Sequence, residues 1–486
     1  MSDGKIDARF TRGSTMRHVA VMTATSAVGL MSLFLVDVAN LFYISLLGPS
    51  ELAAAIGFAG TIQFFMISVS IGLAIAATAT VSRAVGRGDR EDARRLAASS
   101  LTTLVSVLAI CALFVWLFRA EALTLLGATG ETHRIAADFL AIVLPSLPLL
   151  GIAMVTSGLL RSVGDARRAM LVTLSGGIFG AALDPVFIFD WGLGMGVEGA
   201  AIVSVMGRFL VAGIGLALAL RVHDLIGRID LRATLGDARV LLAIALPAVA
   251  TQLSTPFGNA YLTRVVSEYG DEAVAGWAVV GRITALAFGG IFALSGAVGP
   301  ILGQNMGAKL YDRLRLTYRN ALIFAACYVM VVWAILFLLT PYLAQAFSLT
   351  GPGVDVLTGF THFGAGAFLF TAALFVSNAA YNNLGRPTWS TGFNWSRDAA
   401  VIPILAAVIG TGLGAISVVM IQSLAALLVG TAAALTAWRF VKSIDPEGPR
   451  QVVPDAIAAP FSSGRSVQVT IAEQGHDPLA ERDESR

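Results

Sequence analysis

The sequence predicts an all-α integral membrane protein: twelve transmembrane helices in two six-helix lobes, related by a pseudo-two-fold axis along the membrane normal. Three observations predict it. Of 486 residues, 56% are hydrophobic and only 13% charged, where soluble domains carry about 25% charged residues. Apolar runs of the roughly 20 residues needed to cross a bilayer recur twelve times along the chain. Three glycine-bearing segments also repeat, in order, at an offset of 221 or 222 residues.

The expected spans lie at about 17–46, 52–82, 96–118, 135–160, 169–190, 197–221, 239–267, 273–302, 317–340, 355–383, 388–411 and 413–441. Lys5, Arg9, Arg12 and Arg17 precede the first run, which is too long for a signal-peptide core and is followed by no small-residue cleavage site. It is therefore expected to remain as a span. Loops on one side carry Arg83, Arg87, Arg90, Arg94 and Arg95, then Arg161, Arg167 and Arg168, Arg221 to Arg239, Lys309 to Arg319, and Arg386. Opposite loops hold only Arg119 and Arg134. The excess of basic residues on cytoplasmic loops places both termini in the cytoplasm, with the chain in a bacterial-type inner (plasma) membrane.

The domain plan follows: a cytoplasmic segment 1–16, a first lobe 17–221, a linker 222–238, a second lobe 239–441 and a tail 442–486. The tail is polar and rich in Pro, Ser and acids, the composition of a disordered segment. A net charge of +2 provides no field for nucleic acid. Cys111 and Cys327 lie inside apolar spans and read as small buried hydrophobes rather than a disulfide or metal pair. The five histidines form no pair at metal-ligand spacing, and no Gly-Lys-Ser/Thr follows Gly86 and Gly88, so ATP binding is unsupported.

The repeat aligns SRAVGRGDREDARR with GQNMGAKLYDRLR (Gly86 with Gly307), LLRSVGDARRAM with AYNNLGRPTWS (Gly164 with Gly385), and LLGPSELAA with EYGDEAVAG (Gly48 with Gly270). Six spans per half make the halves parallel repeats. Transporters built so hold substrate between the halves and expose it alternately by rocking.

Two acids lie inside spans of the first half. An ionised side chain at the bilayer centre costs about 2.5–3.5 kcal/mol on insertion scales, so such acids suggest function. Asp37 and Asp184 lie about nine and seven residues before the same side of the membrane, hence at similar depth at 1.5 Å per residue. Two carboxylates brought together at low dielectric do not readily both stay ionised. The pair suits a proton acceptor, or with sodium a shared ligand set. Asp184 precedes Pro185, so a purely local backbone role is the competing reading. The counterpart of Asp37 in the second half is Asn259, which cannot titrate. Arg208, Arg264 and Arg282 also fall in spans, where they pair with carboxylates or snorkel to an interface.

Five segments carry a family resemblance: VDVANLFYISLLGPSELAAAIG, AVGRGDREDAR, LDPVFIFDWGLGMGVEGAAIVS, IALP, and GPILGQNMGAKLYDR. On these, over roughly residues 15–442, the chain resembles the multidrug and toxic compound extrusion family. The resemblance implies cation-coupled export of amphipathic, often cationic compounds, with proton or sodium as coupling ion and no other cofactor. Asp37 and Asp184 match the family's first-lobe cation-site acids, and Ser204 falls where the family often has threonine. The family's asparagine one turn before the second acid is Gly180 here, and its aromatic hydroxyl on the fourth span is Phe139, beside Asp138. Asn40, one turn from Asp37, is the candidate to replace the lost amide. Losing oxygen ligands harms a sodium site more than a proton site, so protons are the expected ion. Substrate-cavity candidates are Asn259, Asn378, Asn382, Gln63, Asp138 and Met66; helix–helix hydrogen bonding for the second-lobe amides, and plain packing for Met66, are the competing readings. The chain is expected to work as a monomer in the lipid bilayer on small substrates, and not as an enzyme. A flippase of lipid-linked oligosaccharide or cell-wall precursors is the related alternative, and an integral-membrane enzyme, for which no motif is present, the more distant one.

Overall fold

The computed structural model describes residues 6–45, 50–409 and 412–444, apart from the side chains at 33–34, 36–42, 44–45, 50–51 and 53. Among these residues every regular element is helical, because in lipid a helix satisfies its own backbone groups and an open strand does not. The twelve spans are Thr15–Ser45, Ser50–Arg87, Arg90–Leu117, Gly130–Ser162, Ala166–Ile188, Gly196–Val222, Leu231–Ser267, Asp271–Gly307, Tyr311–Ala346, Gly351–Leu384, the run Pro387–Ile409, and Gly414–Ser443. The expected tail from 445 onward, and the expected span ends at 46 and 410–411, lie outside the described residues. The linker is shorter than the expected 222–238. The Asp230 carboxylate accepts the Arg232 amide at 2.9 Å, and that cap starts span 7 at Leu231.

Several spans are broken where their sequence demands it. In span 4, Pro145 and Pro148 remove two amides, a 3-10 turn fills Leu144–Ser146, and Leu147 bonds back to Leu144 rather than to Val143. Carbonyls are thereby freed inside the membrane. The Ala141 oxygen accepts the Trp116 indole N–H (3.1 Å), and the Val143 oxygen accepts the Ser146 hydroxyl (2.7 Å). Span 8 bends by 45° between Ala287 and Gly289. Spans 10 and 11 each carry a π-helical turn, at Phe360–Gly364 and Ser396–Val401.

The repeated glycines meet across the lobes. A Cβ at Gly86 would overlap the Gln304 carbonyl, and one at Gly307 would overlap the Arg83 carbonyl; a Cβ at Gly303 would overlap the Ser82 hydroxyl. Gln304 and Arg83 are themselves 221 apart, so the two contacts are related by the pseudo-two-fold axis. Each glycine lets one helix lie on the backbone of the other, the mode of association available where lipid supplies no hydrophobic drive. Gly164 and Gly385 play a second repeated part, ending spans 4 and 10 with φ of 83° and 98°, a conformation that costs glycine little.

These contacts seal the face that carries the arginine-rich loops, called the basic face below. The half of span 8 nearer this face, Gly289–Gly307, packs on spans 1 and 2, whereas Asp271–Ala287 packs chiefly on span 10 in its own lobe. The lobes are thus joined at the basic face and diverge towards the opposite one.

The N-terminal segment completes the seal. Arg9–Thr11 form one 3-10 turn that drops Phe10, 2% exposed, between the lobes. The Phe10 amide donates to the Gln304 side-chain oxygen (2.8 Å), and the Gln304 amide group donates onward to the Ser162 carbonyl of the first lobe (2.6 Å). Arg9 donates to the Gly164 carbonyl, and Arg313 from the second lobe donates to the carbonyls of Phe10 and Gly13. Gln304→Leu is expected to leave two buried groups unpartnered, at about 1–3 kcal/mol each. Thermal unfolding in detergent should show the loss, and an unchanged midpoint would refute the bridging role of Gln304.

Nearby, the Asp165 carboxylate caps span 5, accepting the Arg168 amide, the Arg168 guanidinium and a bond shared with the His223 ring. Burial pushes its pKa up, but the hydrogen bonds from His223 and Arg168 outweigh that, and the carboxyl is held below the ordinary range. Its stabilising contribution is present above the unfolded value near 3.9 and is lost only as pH falls through the lower folded value.

Candidate functional site in the first lobe

Spans 1 and 5 lie side by side, and their contacts define a buried seam. Near its middle Gly177 leaves room for Ser32; a Cβ there would sit 3.2 Å from the serine side chain. At its far end Tyr43 stands edge-on to Phe189, ring centroids 6.0 Å apart. Asp37 and Asp184 both belong to the stretch between these two tie points. Counted from Ser32 and Gly177 at 1.5 Å per residue, they lie roughly 7.5 and 10.5 Å further along two parallel helices. Asp184 is 1% exposed and stands seven residues, two turns, beyond Gly177, on the face of span 5 that meets span 1. The side chains of Asp37 and Asn40 lie outside the described residues.

Span 6 runs antiparallel to span 5, and glycines again set the register. Gly199 fits against the Phe187 carbonyl and Gly207 against the Phe179 ring. That register puts Ser204 about 3 Å below Asp184 in depth, and Arg208, one turn further, about 9 Å below it. Ser204 is half-buried. Three spans therefore bring Asp184, Ser204 and the backbone of Asp37 to one level of the first lobe.

The cavity candidates divide. Met66 is fully buried in the first-lobe core, and Asn378 and Asn382 are buried in the second lobe, so none of the three lines open space in this conformation. Asn382 accepts the Ser390 hydroxyl (2.8 Å) and Asn378 accepts the Asn394 amide (3.0 Å), which ties span 10 to span 11. These amides serve as helix–helix hydrogen bonds. Asn259 is exposed on span 7. Asp138 is exposed and lies 3.7 Å from Arg134 on its own helix. Gln63 is half-buried and accepts from Arg208 (2.9 Å).

One buried acid escapes a reading by hydropathy. Asp398, 2% exposed in the π turn of span 11, pairs bidentately with its neighbour Arg397 at 2.7 and 3.0 Å. Gly258 of span 7 makes the space for it: a Cβ there would meet the carboxylate at 2.9 Å. The sequence signal was an adjacent Arg-Asp in mid-span, whose charges cancel in any running sum. Asp398→Ala is expected to strand Arg397 in the lobe and cost about 3–5 kcal/mol. A thermal shift small enough to suit a surface pair would show that water reaches it.

The architecture defines a two-lobed membrane transporter, joined at one face and carrying a buried acid in one lobe. The MatE family profile matches residues 25–186 and 247–404. The chain is 27% identical over 331 residues to a FAD transporter of Shewanella oneidensis, covering 67% of this chain and 72% of that one. It is 26% identical over 294 residues to a probable multidrug resistance protein NorM of Thermotoga maritima, covering 59% and 62%. In fold it is similar to a MATE transporter of Vibrio cholerae, with a TM-score of 0.83 at 22% identity over 89% of this chain and 98% of that one. The chain belongs to the MatE family, the multidrug and toxic compound extrusion transporters.

Proposed function

We infer that this protein is a secondary exporter of small amphipathic compounds, driven by protons entering at Asp37 and Asp184. The observation that carries the reading is the placement of Asp184: buried in the seam of spans 1 and 5, level with Asp37 along the neighbouring helix. The relative named for multidrug resistance supports drug-like cargo, and the relative named for FAD supports cargo with anionic groups as well. Gly180 and Phe139 supply no oxygen ligand, which favours the proton over sodium. The basic face is assigned to the cytoplasm by its arginines, and both termini with it. The conformation described, joined at that face, is then the one that faces outward.

In this state the acids take up a proton, the packing of spans 1 and 5 changes, and bound cargo is released outside. With the lobes rocked apart at the basic face, the proton leaves and new cargo loads. Each charge moving down the membrane potential supplies about 2.3 kcal/mol per 100 mV. Dye efflux from vesicles with pH and sodium gradients imposed separately tests the reading. A pH gradient alone should drive efflux. Efflux with a sodium gradient at uniform pH, and none with a pH gradient, would overturn proton coupling.

A further inference from the structure

Arg208 is a fixed charge near the middle of the membrane. It lies twelve residues from one end of span 6 and fourteen from the other, roughly 18 and 21 Å at 1.5 Å per residue. It does not snorkel. Met206, Phe209 and Gly213 form the exposed side of the helix, and Arg208, 9% exposed, points the other way, into the lobe.

All of its partners are neutral. One terminal nitrogen donates to the Val143 carbonyl and the Ser146 hydroxyl, each at 2.8 Å, and the other to the Gln63 side-chain oxygen at 2.9 Å. The proline break of span 4 prepares two of these acceptors, since it frees the Val143 carbonyl at the end of a half-helix, where the dipole favours a cation. A guanidinium has five N–H donors. Two of them, the Nε–H included, have no partner among the described residues, and Arg208 forms no ion pair there.

The second lobe offers the comparison. Arg397 is at similar depth in span 11, and the chain neutralises it with Asp398. Of the two arginines that are buried among the described residues, the chain keeps one paired and leaves the other without a counter-charge, although a buried charge is tolerated chiefly when paired. Gln63, half-buried on span 2, links the guanidinium to the helix that meets the opposite lobe at spans 7 and 8.

We propose that Arg208, presented by Gln63, Ser146 and the Val143 carbonyl, is an anion-recognition site of the first lobe that takes a carboxylate or phosphate group of the exported compound. The site rests on the export reading for its role in transport, but its ligand chemistry stands apart from the coupling acids. Two open donors are what a carboxylate or phosphate needs for a bidentate pair, and the three partners hold the group rigid before the ligand arrives.

The test uses the full chain with two dyes of matched size, a carboxyfluorescein and a cationic rhodamine, measured both by equilibrium binding in detergent and by efflux from proteoliposomes. Arg208→Gln should lower the ratio of anionic to cationic dye bound at least about tenfold, and Arg208→Lys should fall between it and the parent protein. If Arg208→Gln lowers both dyes equally together with thermal stability, Arg208 is only a brace for the span 4 break and the proposal fails. A parent protein that binds no anionic dye also overturns it. If the parent protein binds the anionic dye through Arg208 but moves neither dye, the site stands and the export reading falls.

Discussion

Asp184→Asn is expected to abolish gradient-driven dye efflux, reducing it to the level of empty vesicles, while the protein stays folded in the membrane. Asparagine has nearly the shape of aspartate and cannot take up a proton, so the substitution removes titration and little else. Asp184 is fully enclosed at the span 1 seam, and an uncharged amide there needs less solvation than a carboxylate. Stability should therefore hold or rise slightly. Asp37→Asn should have the same effect, and the double variant should be no worse than either, because groups that act as one unit lose their function together. The competing role, a local one beside Pro185, predicts the reverse pattern: a lower unfolding temperature with coupling retained. Efflux at the parent rate in either single variant would remove the acids from the mechanism, leaving the fold and family untouched.

The fold was legible because the bilayer leaves few choices. A chain that must satisfy every backbone group within its own segment writes its spans as apolar runs, and basic loops mark one face. The repeat was legible through glycine. Gly86, Gly307, Gly164 and Gly385 had to be glycine for reasons of space or φ, and such positions survive when the surrounding apolar residues are interchangeable.

What was hidden depended on contacts between distant segments. Phe10, in a short polar stretch with no periodicity, shows nothing of the pocket made for it by Gln304 and Arg313, some 300 residues away. Asn378 and Asn382 carried two readings, cavity lining and helix–helix hydrogen bonding, and it took the facing Asn394 and Ser390 to select the second. For Arg208, the sequence left pairing and snorkelling as its readings. Only the register of span 6 and the carbonyl freed in span 4 show that it does neither.

Gly86→Leu should prevent the basic face from closing. A Cβ at this position already overlaps the Gln304 carbonyl, carbon and Cα, all of them backbone atoms that no rotamer change can move. Overpacking a close-packed interior costs about 1–3 kcal/mol or more, and here the strain falls wholly on the state in which spans 2 and 8 touch. A conformation with the basic face open escapes it, so a penalty of that size shifts the balance between the two states by about fivefold to more than a hundredfold. The readout is labelling by a maleimide of the cysteine introduced by Ser82→Cys, in a background lacking Cys111 and Cys327. Ser82 is wholly buried in the seam, and its labelling should accelerate when Gly86→Leu is added, with efflux lost in parallel. Gly307→Leu, the pseudo-symmetric change against the Arg83 carbonyl, should match it. Gly60→Leu, on the same helix as Gly86 but with nothing within 4 Å among the described residues, separates a wedge at the seam from a general effect of bulk. Slow labelling in all three would mean that the lobes close by some other surface, and that the glycines repeated 221 residues apart merely mark ancestry.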